Sequence, residues 1–287
     1  MRFNLLCFLG IFLTIGVFWG NVESRKLGTK KSFTGRKFNT LYKPVTINAD
    51  PKNTEKCPGS SLLRLKTVSS ARTILKNTGE SVQTNDQRKN FATVTGGPLK
   101  GIYNYLSFTY YWASNTTTGV TGTTINKQGF PYGVRVFYIN RKYKTFKKAL
   151  LKEDGFADLV YLYNICSETN KAFGKVSQAF QKIPKAGMTT PVPLGVHAEA
   201  VNLVDSKIQY YTYTGNFENT RTGKKYPSST VVLFKPDSKF CITQHQFNQT
   251  FSHLTDKKGR PLANILTHDS TEVKTAVCTG ATSKIIG

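Results

Sequence analysis

Four histidines, His197, His245, His253 and His268, are the side chains of this sequence best suited to move a proton near neutral pH. His245, His253 and His268 fall close together in sequence, with Asp256 and Asp269 nearby. Histidines paired with a lysine could cleave RNA by general acid–base catalysis, and a basic chain would suit that substrate. Neither an Asp-Arg-Gly-His element nor a Phe-x-x-His-x-Trp element accompanies them, so scattered loop histidines are the plainer reading. His197-Ala198-Glu199 resembles the first half of a zinc deaminase signature, in which the histidine ligates metal and the glutamate shuttles protons. The second half, Pro-Cys-x-x-Cys, does not occur, and His197 is expected on a strand as a surface or packed residue. The sequence also has no Gly-x-Ser-x-Gly elbow, no His-Glu-x-x-His and no glycine-rich phosphate loop ahead of a helix. No two cysteines have the close spacing that metal sites favour. On these residues no catalytic group, no metal and no cofactor is expected.

Charge is the stronger signal. Lysine and arginine number 40 against 16 aspartates and glutamates, a formal net charge of +24. Self-repulsion of that size opposes compact folding, which points to an acidic partner. Arg25, Lys26, Lys30, Lys31, Arg36 and Lys37 lie in a stretch without an acid. Arg135, Arg141, Lys142, Lys144, Lys147, Lys148 and Lys152 form a second group, and Lys257, Lys258 and Arg260 a third. Lys147, Lys148 and Lys152 would share one face of a short helix. These groups are the expected polyanion-binding residues. The partners they suggest are glycosaminoglycan, polyphosphate, extracellular nucleic acid or an anionic membrane surface, bound in a salt-sensitive way. The function expected is that of a secreted, non-catalytic effector that binds such polymers and interferes with clotting or inflammation. The alternatives are a secreted nuclease using a histidine and a lysine, and a matrix or silk-like structural protein.

The N-terminus reads as a secretory signal: Arg2, an apolar run from Leu5 to Trp19, then Val22 and Ser24 at a small-residue cleavage site. Beyond the signal, Cys57, Cys166, Cys241 and Cys278 are an even set in an oxidising compartment, so two disulfides are expected. Cys241–Cys278 is the preferred pair, leaving Cys57–Cys166. Asn115-Thr116-Thr117 and Asn248-Gln249-Thr250 are candidate glycosylation sites.

The elements that would position these residues divide the chain into a signal (1–24), an extended basic arm (25–60) and a single domain (61–287). Ile102–Trp112 and Gly133–Asn140 are rich in aromatic and β-branched residues and predict strands. Thr145 is placed to cap a short helix. From Phe156 to Ile183, apolar residues recur at helical spacing, and Pro184 and Gly187 close the pattern. Val196–Val204 with Lys207–Thr214, and Ser229–Lys235 with Lys239–Phe247, read as hairpins, and Glu272–Thr279 as a last strand. The fold class predicted is α+β, an antiparallel sheet covered on one face by central helices.

Overall fold

Aromatic and β-branched residues are concentrated in strands of up to eleven residues in this chain, and the innermost strands are buried on both faces and largely apolar. The computed structural model describes residues 45–262 and 271–286, apart from 51, 53, 58–61, 86–90, 114–121, 202–207, 220–223 and 237–239. They belong to one unit, Lys37–Gly287. The signal, the basic stretch from Arg25 to Lys43 and the sequon at Asn115 lie outside the described residues.

The chain begins with β1 (Val45–Ile47), β2 (Thr54–Lys56), β3 (Leu63–Val68), β4 (Arg72–Asn77), β5 (Val82–Asn85) and β6 (Ala92–Thr95). Next come β7 (Tyr103–Trp112), β8 (Thr123–Ile125), β9 (Tyr132–Asn140), α1 (Phe146–Ala149) and β10 (Phe156–Ile165). The short α2 (Lys171–Phe180) and α3 (Leu194–Ala200) flank β11 (Thr189–Pro193). The last third holds β12 (Gln209–Asn219), β13 (Lys224–Phe234), β14 (Cys241–Ile242), α4 (Gln244–Phe251), β15 (Thr271–Glu272), β16 (Thr275–Thr279) and β17 (Ala281–Ile286). One large mixed sheet runs β11-β4-β5-β7-β9-β10-β13-β12-β16-β2. Strand pairs β10–β13, β2–β16 and β3–β17 are parallel, and β7–β9–β10 are antiparallel. A small sheet of β15, β1 and β8 accompanies it.

Residue alternation on the central strands gives the sheet two different faces. The first packs against α2 and α4 through an aromatic cluster: Trp112 stacks on Phe251 at 4.7 Å, and Tyr110 meets Phe180 edge-on at 5.0 Å. Asn170 caps α2 by accepting from the Phe173 amide at 3.0 Å, and Thr243 with Gln246 forms a capping box on α4. The second face buries Val160, Leu162, Tyr211, Val231 and Leu233 against Ile47, Ile125 and Phe130.

The predicted α+β arrangement, an antiparallel sheet under central helices, is not what forms. The protein is mostly β, and its sheet is mixed. Phe156–Ile165, read as helix from its spacing, is the central strand β10, and only Lys171–Phe180 of that region is helical. Both proposed hairpins fail: Val196–Val204 falls largely on α3, and most of Lys239–Phe247 lies in β14 and the start of α4. The strand β13 pairs instead with β12 and, in parallel, with β10. Tyr103–Trp112 and Tyr132–Asn140 are strands as predicted, and Thr145 caps α1 by accepting from the Lys148 amide at 3.3 Å. In the stretch read as an arm, residues 45–47 and 54–56 are β1 and β2.

The disulfides join Cys57 to Cys278 and Cys166 to Cys241, not the preferred pairing. The reason is topological: β2 pairs in parallel with β16, and the end of β10 pairs in parallel with β14, so the cysteines of each pair lie on or just beyond neighbouring strands. Among the described residues no helix is long and apolar enough to cross a membrane.

A candidate functional site at the centre of the sheet

The strands β7, β9 and β10 lie side by side, and register sets which of their side chains share the second face. Thr109 pairs across to Arg135, Tyr111 to Gly133, Arg135 to Val160, and Phe137 to Asp158. Arg135 and Asp158 are therefore diagonal neighbours on one face, and two long polar side chains meet there. Arg135 Nη1 donates to Asp158 Oδ2 at 2.7 Å, with side chains 6% and 0% exposed. The Tyr111 ring lies 5.8 Å from the guanidinium carbon. Gly133 leaves open the place between Tyr111 and Leu162, and a small recess forms there, lined by Tyr111, Thr123, Gly133, Val134, Arg135, Val160 and Leu162.

Burial dominates the electrostatics of this cluster. It pushes the Tyr111 phenol up to about 12 against the pull of Arg135, and the Tyr213 phenol also to about 12. The Asp158 carboxyl is raised as well, because desolvation outweighs the attraction of Arg135. Asp158 Oδ1 and the Tyr213 hydroxyl are buried without a hydrogen-bond partner. A buried ion pair of this kind holds two charges out of water, and its value rests on keeping both members.

The sequence-predicted residues are placed elsewhere or differently. Arg135, taken for a surface charge, is this buried ion-pair member. Arg141, Lys144, Lys147, Lys148 and Lys152 are exposed around α1, and Lys142 pairs with Asp154 at 2.5 Å. In the third group Lys258 is exposed, Lys257 faces Glu80 at 3.8 Å and Arg260 pairs with Asp256 at 2.7 Å. Several of the gathered cations thus have carboxylate neighbours, which weakens the patch they were expected to form. Arg25, Lys26, Lys30, Lys31, Arg36 and Lys37 are not among the described residues. Asn248 is an exposed residue of α4 and accepts from Gln244 Nε2 at 2.9 Å.

His197 is not on a strand but on α3, buried under the first face. Its Nδ1 is hydrogen-bonded to the Tyr110 hydroxyl, its ring lies 5.3 Å from Phe108, and Nε2 has no partner. Burial pushes its pKa down to about 3, so the ring is neutral at physiological pH. His245 is exposed on the first turn of α4, and His253, just past that helix, lies against the Phe180 carbonyl with Nε2 at 3.2 Å. His268 is outside the described residues. Sequence reasoning missed Asp158 and gave Tyr111 no role beyond its strand. Asp158 had one usable signal, a lone acid in an otherwise apolar run, since an acid is rarely buried without a partner.

The profile of the eukaryotic-type carbonic anhydrase family matches residues 44–270, most of the chain. The chain belongs to that family. This membership overturns the reading as a non-catalytic effector that binds polyanions. The glycosaminoglycan, polyphosphate and nucleic-acid partners lose their support with it, as do the nuclease and silk-like alternatives. The family is one of enzymes.

Carbonic anhydrase chemistry calls for zinc held by three histidines with a fourth position open to water. The residues present do not fit it. Any three of the four histidines include two of His197, His245 and His253. His245 is exposed on the first turn of α4, whereas His253, past the end of that helix, lies with its Nε2 against the Phe180 carbonyl at 3.2 Å. His197 is hydrogen-bonded to Tyr110 at Nδ1, and its Nε2 has no hydrogen-bond partner. The four cysteines outside the signal segment are bound in disulfides. Among the described residues no group of three histidine, cysteine, aspartate or glutamate side chains could hold a metal.

Proposed function

We propose that this chain keeps the carbonic-anhydrase fold without the family's zinc-assisted hydration of carbon dioxide, and that it is a secreted protein. One observation carries the reading: the polar centre of the sheet is the Arg135–Asp158 ion pair, and among the described residues no three imidazoles converge. Zinc makes a hydroxide nucleophile at neutral pH by lowering the pKa of its bound water. The groups at this centre offer no substitute. With phenols raised to about 12, Tyr111 and Tyr213 stay protonated at neutral pH. Arg135 is permanently charged, and its partner Asp158 is tied to it at 2.7 Å. Secretion is supported by the N-terminal apolar run and by two disulfides, which persist in oxidising compartments.

The test is stopped-flow hydration of carbon dioxide with a pH indicator. The purified protein, with and without added zinc, is expected to leave the rate at that of buffer. Turnover approaching the order of 10⁶ per second that zinc hydroxide reaches, or any zinc-dependent rate well above buffer, would overturn the reading.

A further inference from the structure

We infer that the tip between β9 and β10, residues 141–154, docks on a bilayer rich in anionic lipid, with its lysines at the headgroup phosphates and Leu151 at the acyl boundary. The inference goes beyond the reading above and does not depend on whether carbon dioxide is hydrated. The tip holds six bases and two acids. Lys142 is engaged by Asp154 at 2.5 Å, whereas among the described residues no ion pair forms to Lys144, Lys147, Lys148 or Lys152, all of them exposed. Leu151 stands in their midst and is 67% exposed, well above the 36–44% of Leu62, Ile74, Ile102 and Met188. Ile102 adjoins the base of the tip, where its carbonyl accepts from the Arg141 amide at 2.9 Å.

The fold builds this tip and holds it. Asn140 ties its two ends: Nδ2 donates to the Asp154 carbonyl at 3.0 Å, and Oδ1 accepts from the Lys142 amide at 3.2 Å. Gly155 closes the return, since a Cβ there would lie 2.0 Å from the Ala149 carbonyl oxygen. Inward, Phe146, Ala149 and Leu150 pack with Ile139, Phe156 and Tyr226. Lys147 and Lys148 precede Leu151 by four and three residues, and the Lys152 amide still bonds back to the Ala149 carbonyl at 2.9 Å. That turn sets these lysines on the leucine's side. A single exposed leucine carries no message by itself. One set among lysines matches a surface that seats on charged lipid, where cationic stems reach headgroups and an apolar side chain enters below them. A soluble acidic polymer offers charge but nothing apolar, and would leave Leu151 in water, so the leucine favours a bilayer.

The experiment is co-sedimentation of the full disulfide-bonded chain with vesicles of phosphatidylcholine alone, or of phosphatidylcholine with about 30% phosphatidylserine. The wild type is expected to favour the anionic vesicles by about 10-fold or more and to release from them as salt rises. The triple variant Lys147→Glu/Lys148→Glu/Lys152→Glu is expected to lose that preference. Leu151→Ser, which keeps every charge, is expected to weaken binding to the anionic vesicles by about 5-fold or more. Leu151→Trp keeps the tip apolar and reports on it: its fluorescence is expected to shift to the blue on anionic vesicles and not on neutral ones. All four substituted side chains are exposed, so the variants should melt with the wild type. Equal wild-type binding to both vesicles, charge or Leu151→Ser variants that bind as the wild type does, or an unshifted Leu151→Trp would overturn the inference. So would a wild type that binds soluble heparin but neither kind of vesicle.

Discussion

Replacing Arg135 with methionine is expected to destabilise the protein by about 3–5 kcal/mol, because it strands the Asp158 carboxylate in the core. Methionine fills much the same volume, so the cost comes from lost charge compensation rather than a cavity. Asp158 already has one oxygen unpartnered, and Arg135 supplies the other's hydrogen bond at 2.7 Å. A loss of this size is a large share of the 5–15 kcal/mol by which typical domains are stable. The double variant Arg135→Met/Asp158→Leu is expected to recover most of the loss, since apolar replacement of both members of a buried pair is often neutral or better. Denaturant unfolding of the wild type, both single variants and the double variant closes the cycle. Additive losses, with no recovery in the double variant, would mean that the two residues do not act as a pair.

Acid should be the second large perturbation, and it acts from the opposite side of the sheet. The His197 pKa is about 3 in the folded protein against an ordinary 6.5. Below 6.5 the unfolded chain takes up a proton that the folded chain refuses. His197 therefore costs nothing above that pH and destabilises progressively as pH falls from 6.5 toward 3. At 1.36 kcal/mol per unit, the loss is roughly 2 kcal/mol at pH 5 and approaches about 5 kcal/mol near pH 3. Asp154 and Asp256, whose carboxyls are lowered by hydrogen bonds to Lys142 and Arg260 even though some burial raises them, add to the loss lower in the acid range. Asp158, raised by burial, works against it. His197→Gln keeps a polar partner for Tyr110 and removes the titration, so its stability should vary less between pH 7.5 and pH 5 than that of the wild type. Equal slopes for the two proteins would show that His197 is not the group responsible.

What could be read from the sequence follows from the physics of each element. Tyr103–Trp112 and Tyr132–Asn140 are dense in aromatic and β-branched residues, and such runs have few alternatives to strand. The central strand β10 misled because Phe156, Leu159, Val160 and Tyr163 fit a helical period by coincidence. A strand buried on both faces is apolar at nearly every position and so satisfies any period. The helix α3 was lost for the converse reason: Val196, Ala198 and Ala200 alternate like a strand over too few residues to decide. Arg135 was noticed, but as one charge among forty basic residues. Its partner Asp158 is 23 residues away, joined only by strand register, and no local spacing rule reaches that far. The family was illegible for a related reason. Three zinc-binding histidines are the chemical signal of a carbonic anhydrase, and among the described residues the histidines do not assemble. What remains of the family is spread through strand patterning, which carries no chemistry of its own.

The central claim, a carbonic-anhydrase fold without the family's metal site, is tested most directly by elemental analysis of the wild-type protein. The protein would be secreted from cells grown with added zinc and purified without chelator. Well below one zinc in ten chains is the result expected; a stoichiometric zinc that survives dialysis would contradict the account.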